Sequence, residues 1–373
     1  MAYTTIDDPS AYFQTKLYTG NSTNNTAITN DGNSDLQPDW IWAKSRTNTH
    51  YHDLRDSTRG VTKRLVSNTN DAESTKDQSY VSFDSDGFTL GDDTDSGGSA
   101  LNTINTSSNN YVAWQWKANG GTTSSNSDGS ITSTVQANTT AGFSIVTYTG
   151  NGSNGATVGH GLSNNLALIL IKRRVDDGSG NNFNWQVWHK SFTDDHRGAI
   201  NTTGAIGSPT DLVFDTSANT TSVFGLGFNN TSNQSSKTYV AYCFAEIQGY
   251  SKFGSYTGGG TVLGNNSADG TFVYTGFSPS WLLVKNNKDG EGWFIFDSKV
   301  DDATAGGNAV EQRFQINETQ AEVRTENAFD FLSNGFKLRT DTGFLNGAGD
   351  SFTWWAYAKH PFVSSEGVPT TAR

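Results

Sequence analysis

The sequence has little cysteine, methionine or proline. Among 373 residues it has one cysteine, one methionine and six prolines. The single thiol, Cys243, excludes an intrachain disulfide and any zinc site that needs several cysteines. It lies in the apolar run of residues 240–244, where a small buried side chain is the expected role of a free cysteine.

Long apolar runs and targeting signals are also missing. No run approaches the roughly 20 apolar residues that cross a bilayer. Residues 1–8 have neither the basic region nor the apolar stretch of a signal peptide. We therefore expect no membrane insertion, and we expect synthesis and folding in a cytoplasm.

Basic residues are outnumbered, with 25 Lys and Arg against 37 Asp and Glu and a formal charge of −12. Such a surface repels phosphate backbones, so nucleic acid is not an expected partner. The densest basic cluster is Lys172, Arg173 and Arg174. A solvated strand end is the favoured interpretation of this cluster, and a nucleic-acid patch is the alternative.

The residues that are abundant favour β-structure. Aromatic residues make up 12% of the chain, and there are 40 glycines amid much Asn, Thr and Ser. Aromatic side chains suit pleated, half-buried surfaces, and the small polar residues suit tight turns between short strands. The composition predicts an all-β protein.

Four sequence blocks recur three times in the same order. They are a strand ending in Tyr-Thr-Gly (residues 18–20, 148–150, 256–258), a strand ending in lysine (40–44, 168–172, 281–285), a Gly-Phe pair (87–88, 227–228, 335–336) and an aromatic strand (111–116, 239–244, 352–357). Lys44 to Lys172 and Tyr111 to Tyr239 are both 128 positions apart. Lys172 to Lys285 and Tyr239 to Phe352 are both 113. The chain is therefore a triplicated module, with repeats too long for a solenoid.

The outer two copies share a further segment at an offset of 249 positions. The matched residues are Val61, Arg64, Asn68, Ala72 and Glu73 with Val310, Arg313, Asn317, Ala321 and Glu322. We predict domains at residues 1–120, 121–249 and 250–373. Residues 119–127 have a flexible-linker composition, which predicts a loosely tethered first domain. The short junction at residues 248–251 predicts that the second and third domains are held rigidly together.

The block residues resemble a family of repeats in virion proteins of marine bacteriophages. The likeness rests on residues 18–21, 38–44, 82–88 and 111–117. Residues 1–12 also resemble the start of such proteins. The resemblance implies three tandem antiparallel β-sandwich domains of the concanavalin-like jelly-roll type. It also implies a virion location, such as a tail fibre, a spike or a capsid decoration, and it supplies no catalytic residues.

The carboxylates do not predict an enzyme. Glycanases on such sandwiches use paired carboxylates, one to donate a proton and one to stay ionised. The chain has eight glutamates, and none forms the Glu-x-Asp-x-Glu pattern of those enzymes. We expect no catalytic activity and no catalytic residue.

Two patterns suggest metal binding. Asp92, Asp93 and Asp95 offer hard oxygen ligands in one loop, as Ca²⁺ prefers, and calcium is the one cofactor that the sequence suggests. An ordinary acidic turn is the alternative. His50 and His52 would share one strand face as a metal pair, and a solvated turn is the favoured interpretation of these residues.

Glycan binding is the remaining candidate, since sugars stack on exposed aromatic faces. Trp185, Trp188 and Trp293 follow the shared core strands and are the candidate platforms, with burial in the core as the alternative. Trp40 and Trp42 alternate onto one face, which we expect to point inward.

Two functions remain open. The favoured one is a virion structural protein that assembles with other virion proteins, forms a homo-oligomer and adheres to host-surface glycans. The alternative is a cellular carbohydrate-binding or glycan-depolymerising protein.

Overall fold

A computed structural model describes residues 3–94, 103–180, 182–207, 212–260, 270–301 and 309–370. Strands account for 45% of the structure and helices for 4%, and all strand pairs are antiparallel. The prediction of an all-β protein is confirmed. No helix in the described ranges has the length and apolarity needed to cross a membrane.

The first copy forms a six-stranded and a three-stranded sheet. Its strands are β1 (Phe13–Thr19), β2 (Thr26–Thr29), β3 (Trp40–Ser45), β4 (Asp53–Asp56), β5 (Lys63–Val66), β6 (Ser74–Thr75), β7 (Tyr80–Asp84), β8 (Gly87–Leu90) and β9 (Asn110–Trp116). The large sheet has the order β1-β9-β3-β4-β5-β6, and the small sheet has the order β2-β8-β7. Ile41 of the large sheet and Phe88 of the small sheet share one buried cluster. The two sheets therefore pack face to face in a sandwich-like arrangement.

The second copy also has a large and a small sheet, but its two additional large-sheet strands lie at the opposite edge. Its strands are β10 (Ser124–Asn126), β11 (Ser133–Asn138), β12 (Phe143–Thr149), β13 (Ala156–Gly159), β14 (Leu166–Arg173), β15 (Gln186–His189), β16 (Val223–Leu226) and β17 (Thr238–Ala245). The large sheet has the order β10-β11-β12-β17-β14-β15, and β13 pairs with β16. Ile169 and Phe224, one from each sheet, share the core.

The third copy is one eight-stranded sheet that bends back on itself. Its strands are β18 (Ser251–Thr257), β19 (Phe272–Tyr274), β20 (Phe277–Asn286), β21 (Trp293–Asp297), β22 (Ala309–Gln315), β23 (Val323–Leu332), β24 (Gly335–Leu338) and β25 (Ser351–Pro361), with short helices α1 (Ser298–Asp301) and α2 (Gly343–Asn346). The order is β18-β25-β20-β21-β22-β23-β24-β19. Leu282 near one end and Phe336 near the other share the core.

One tyrosine contact recurs in all three cores. In each copy the first-block tyrosine lies opposite an aromatic residue of the aromatic strand. The stacked pairs are Tyr18 with Tyr111, Tyr148 with Tyr239 and Tyr256 with Phe352, at centroid distances of 5.2, 5.1 and 4.7 Å. Each first-block hydroxyl donates to a backbone carbonyl, at 2.9 Å (Ile104), 2.8 Å (Ser232) and 2.6 Å (Leu345). The pairs bury large rings while keeping their polar ends satisfied.

The predicted position of the Gly-Phe block in the second copy is wrong. Phe88 pairs with Ile28, and Phe336 pairs with Val273, in the small-sheet positions. The residue in this position in the second copy is Phe224, which pairs with Val158. Phe228, which the sequence placed there, is 63% exposed. Phe224 follows Val223 rather than a glycine, so the Gly-Phe pair at residues 227–228 misled the alignment. The block is too short to fix its own register.

The described chain divides into two compact units, which we call the N-terminal and C-terminal units. The N-terminal unit is Ser10–Thr202 with Ile206–Ala245, and the C-terminal unit is Met1–Pro9, Thr203–Ala205 and Glu246–Arg373. The predicted boundary near residue 249 lies close to this division. The opening segment, which we assigned to the first domain, belongs instead with the third copy. Thr4 donates to the carbonyl of Gln248 at 2.8 Å.

The expectation of a loose first domain is wrong, because the predicted linker is ordered between the first two copies. Asp39 accepts hydrogen bonds from the amides of Ala118, Gly120 and Gly121 at 2.7 to 2.9 Å. Both glycines have positive φ, 60° and 78°, a conformation that favours glycine. Part of the predicted linker is strand β10. Glycine and serine content therefore marked a tight turn rather than a tether.

Candidate functional site

The first and second copies meet across the outer faces of their large sheets, in a contact that we call the seam. Trp40 stacks on Tyr242 with ring centroids 4.4 Å apart and 19° between the planes. Phe143 and Phe244 of the second copy lie 5.9 and 6.0 Å from the Trp40 ring. Aromatic packing of this kind adds directional contacts to the burial of apolar area. The seam therefore joins the two copies as a core would.

Trp40 and Trp42 share one face of β3, as alternation predicts, but that face is the seam. Ile41 and Ala43 point into the first copy's own core. The expectation that the two tryptophans fill that core is therefore wrong. Alternation identifies residues that share a face, but it does not distinguish two faces that are both buried.

Charged groups continue the seam around the Tyr242 hydroxyl. This hydroxyl donates to Asp56 at 2.6 Å and accepts from Arg59 at 3.2 Å. Arg59 also binds Glu73 at 2.9 Å. Burial opposes ionisation of Glu73, but Arg174 and Arg59 together hold its pKa below the ordinary value. The group is a closed network in which each buried charge has an opposite partner.

The second copy also holds the loop at residues 70–73 of the first. Lys172 donates to the Asn70 carbonyl at 2.9 Å, and Arg174 binds both carboxylate oxygens of Glu73 at 2.8 and 2.9 Å. The basic cluster is therefore not the solvated strand end that we expected, because Lys172 is buried and Arg174 is paired. Lys172 and Arg174 serve the contact between copies, whereas Arg173 binds residues of its own copy.

Three equivalent lysines are buried at the ends of their strands. Lys44 donates to the carbonyls of Ser45 and Asn48, and Lys285 donates to those of Asn286 and Lys288. Burial lowers the pKa of Lys44 and Lys172 to about 7 and that of Lys285 to about 8. Each ammonium group fixes the loop that follows or adjoins its strand.

The three predicted glycan platforms are buried. Trp185, Trp188 and Trp293 are 1%, 9% and 2% exposed. Trp185 stacks on Tyr242 at 6.3 Å and donates to the Val66 carbonyl at 2.8 Å, which places it in the seam. These rings have no open face for a sugar, so the alternative of core packing describes them.

In the acidic loop, the carboxylates of Asp92 and Asp93 accept hydrogen bonds from neighbouring protein groups. Asp93 is buried and accepts hydrogen bonds from Ser79, Thr103 and the Ile104 amide at 2.6 to 3.0 Å. Asp92 accepts from the Thr94 amide and hydroxyl. Asp95 lies outside the described residues.

Neither metal pattern is assembled into a site within the described part of the chain. His52 accepts a hydrogen bond from the Trp42 indole at 2.9 Å. No group of three metal-ligating side chains comes together among the described residues. Calcium binding at the acidic loop stays a prediction.

An exposed aromatic pair was missed by the sequence reasoning. Phe272 and Tyr274 on β19 are 44% and 50% exposed, with Val273 buried between them. The run Phe-Val-Tyr has no alternation of apolar and polar residues, so the sequence does not indicate a solvent-exposed face. The polar residues before it, at 264–271, were the available hint of a strand at the edge of a sheet.

The chain was compared with known proteins. A family model described as a domain of unknown function, DUF7483, matches residues 8–361. The chain belongs to this family. The match runs through all three copies, so a DUF7483 domain is the whole array rather than one module. No curated protein and no solved structure matches the chain.

Replacing Arg59 by Met should destabilise the N-terminal unit by about 3–5 kcal/mol, because Asp56 and Glu73 would lose a buried partner. The measurement is the free energy of unfolding in urea. Lys16→Met is the matched control, since Lys16 pairs with Asp31 at the surface and should cost less than about 1 kcal/mol. Equal effects for the two variants would contradict the role given to Arg59.

The buried lysines predict a dependence of stability on pH. Lysine in the unfolded chain titrates near about 10.4, so the unfolded chain binds more protons than the folded chain above about pH 7. The free energy of unfolding should therefore rise with pH from about 7 to 8.5. Lys172→Met should flatten this rise, and the exposed Lys359→Met should not. Identical slopes for wild type and Lys172→Met would refute the assignment.

Proposed function

We propose that the protein is a non-enzymatic structural component of a bacteriophage virion, built from three tandem concanavalin-like jelly-roll modules. It would serve as a tail fibre, a spike or a capsid decoration, and it would assemble with other virion proteins as a homo-oligomer. Adhesion to host-surface glycans is part of this proposal. The resemblance of the repeat blocks to virion proteins of marine bacteriophages is its starting point.

The seam is the observation that carries the proposal. In the N-terminal unit, buried Arg59 binds both Asp56 and the partly buried Glu73, and Asp56 and Arg59 bind the Tyr242 hydroxyl. Ionisable side chains that a catalytic centre would need are used here to fix one copy against the next. Joining modules in one chain also raises their effective concentration, which supports a rigid multivalent particle component.

A second candidate is a cellular carbohydrate-binding protein on a lectin-like sandwich, with glycan depolymerisation as its enzymatic form. The exposed Phe272 and Tyr274 favour the binding form of this candidate. The two proposals differ in where the protein resides, and both allow glycan contact.

Localisation separates them. An antibody raised against the recombinant chain should label purified particles of the phage whose genome encodes it, at head or tail, in immunogold electron microscopy. Particles grown from a phage with the gene deleted are the control and should carry no gold. A chain that is missing from particles and that shortens a polysaccharide in solution would overturn the virion proposal.

A further inference from the structure

The edge strand β19 of the third copy exposes two aromatic rings on one face. Phe272 and Tyr274 are two positions apart, so their side chains project to the same side about 6.6 Å from each other. Val273 between them points into the core. The two exposed rings lie side by side and form a small apolar patch, which is the kind of surface at which a ligand can bind.

The N-terminal segment extends the row of rings. Tyr3 donates its hydroxyl hydrogen to the Gly276 carbonyl at 2.6 Å, and its ring lies 6.5 Å from that of Phe362. Its pKa is raised by burial and by a hydrogen bond with Tyr274, so the two phenol groups are neighbours. We call Phe272, Tyr274, Tyr3 and Phe362 the aromatic strip.

Lys252 borders the strip and has no carboxylate partner among the residues that the structure describes. The Lys252 ammonium lies 4.9 Å from the centre of the Tyr274 ring and donates to the Tyr274 carbonyl at 3.3 Å. Within the described ranges, no carboxylate lies at salt-bridge distance from Lys252. The net charge of −12 repels anions in general, so the Lys252 ammonium is the local group that would attract the charged group of an acidic ligand to this surface.

The strip is confined to the third copy. Val273 corresponds to Ile28 and Val158 in the small-sheet pairing. The residues on either side of those two are Ala27 and Thr29, and Thr157 and Gly159. The first two copies therefore have no rings where the third has Phe272 and Tyr274.

We propose that the aromatic strip and Lys252 bind an acidic polysaccharide. The apolar faces of successive sugar rings would stack on Tyr274 and Phe272, and Lys252 would pair with a carboxylate or sulfate group of the chain. A row of single rings bordered by a cation suits a thin amphipathic polymer better than a broad apolar protein surface. This inference rests on the glycan adhesion in the proposed function.

The test is affinity electrophoresis of the full chain through gels containing polygalacturonate, carrageenan or uncharged dextran. We expect wild type to be retarded by at least one acidic polymer and not by dextran. Phe272→Ala and Tyr274→Ala should each weaken binding by about tenfold or more, the scale of one lost ring contact. Lys252→Met should weaken it with a smaller dependence on salt.

Phe228→Ala is the matched control, because it removes an exposed ring from the second copy and should bind as wild type does. Melting temperatures equal to wild type show that the variants fold. Retardation by neither acidic polymer, or binding unchanged in Tyr274→Ala, would overturn the inference. Particle labelling is independent of this result. If particles are labelled but the protein does not bind acidic polymers, polysaccharide binding by the aromatic strip is refuted and the virion proposal is unaffected.

Discussion

Tyr242 joins the first two copies through both of its ends. Its ring stacks on Trp40 of the first copy, and its hydroxyl lies between Asp56 and Arg59 of that copy. Burying two carboxylates is costly unless each has a partner, so Arg59 and Arg174 must also be in place. Those requirements fix the loop at residues 70–73 and the end of β14. The rest of the N-terminal unit is arranged around this contact.

The same constraint explains why the three copies differ while keeping four shared strands in one order, which is β1-β9-β3-β4, β12-β17-β14-β15 and β18-β25-β20-β21. Each copy retains the stacked aromatic pair and the buried strand-end lysine. Lys172 binds the carbonyl of Asn70 in another copy as well as that of Phe183 in its own, whereas Lys44 and Lys285 bind carbonyls of their own loops. The aromatic strip is found on the third copy. The divergence thus follows the contacts that each copy makes.

Sequence reasoning predicted the features that local sequence patterns determine. The all-β class is confirmed, and the repeat offsets place the same tyrosine in each core. The seam could not be predicted, because nothing in the alternation of β3 shows that its second face meets another sheet. Trp185 was misassigned for this reason, since burial by a neighbouring copy depends on tertiary contact. Phe228 was misassigned because the Gly-Phe block is too short to fix its own register. The prediction of a flexible linker failed because Gly120 and Gly121 form a turn around Asp39.

The central claim is that the first two copies unfold as one unit through the seam. Native-state hydrogen exchange of the full chain in increasing denaturant tests it most directly. Amides of β3 and β9 in the first copy and of β14 and β17 in the second should converge on one opening free energy with one denaturant dependence. If the amides of the first copy open at a lower free energy while those of the second stay protected, the copies are independent and the account is contradicted.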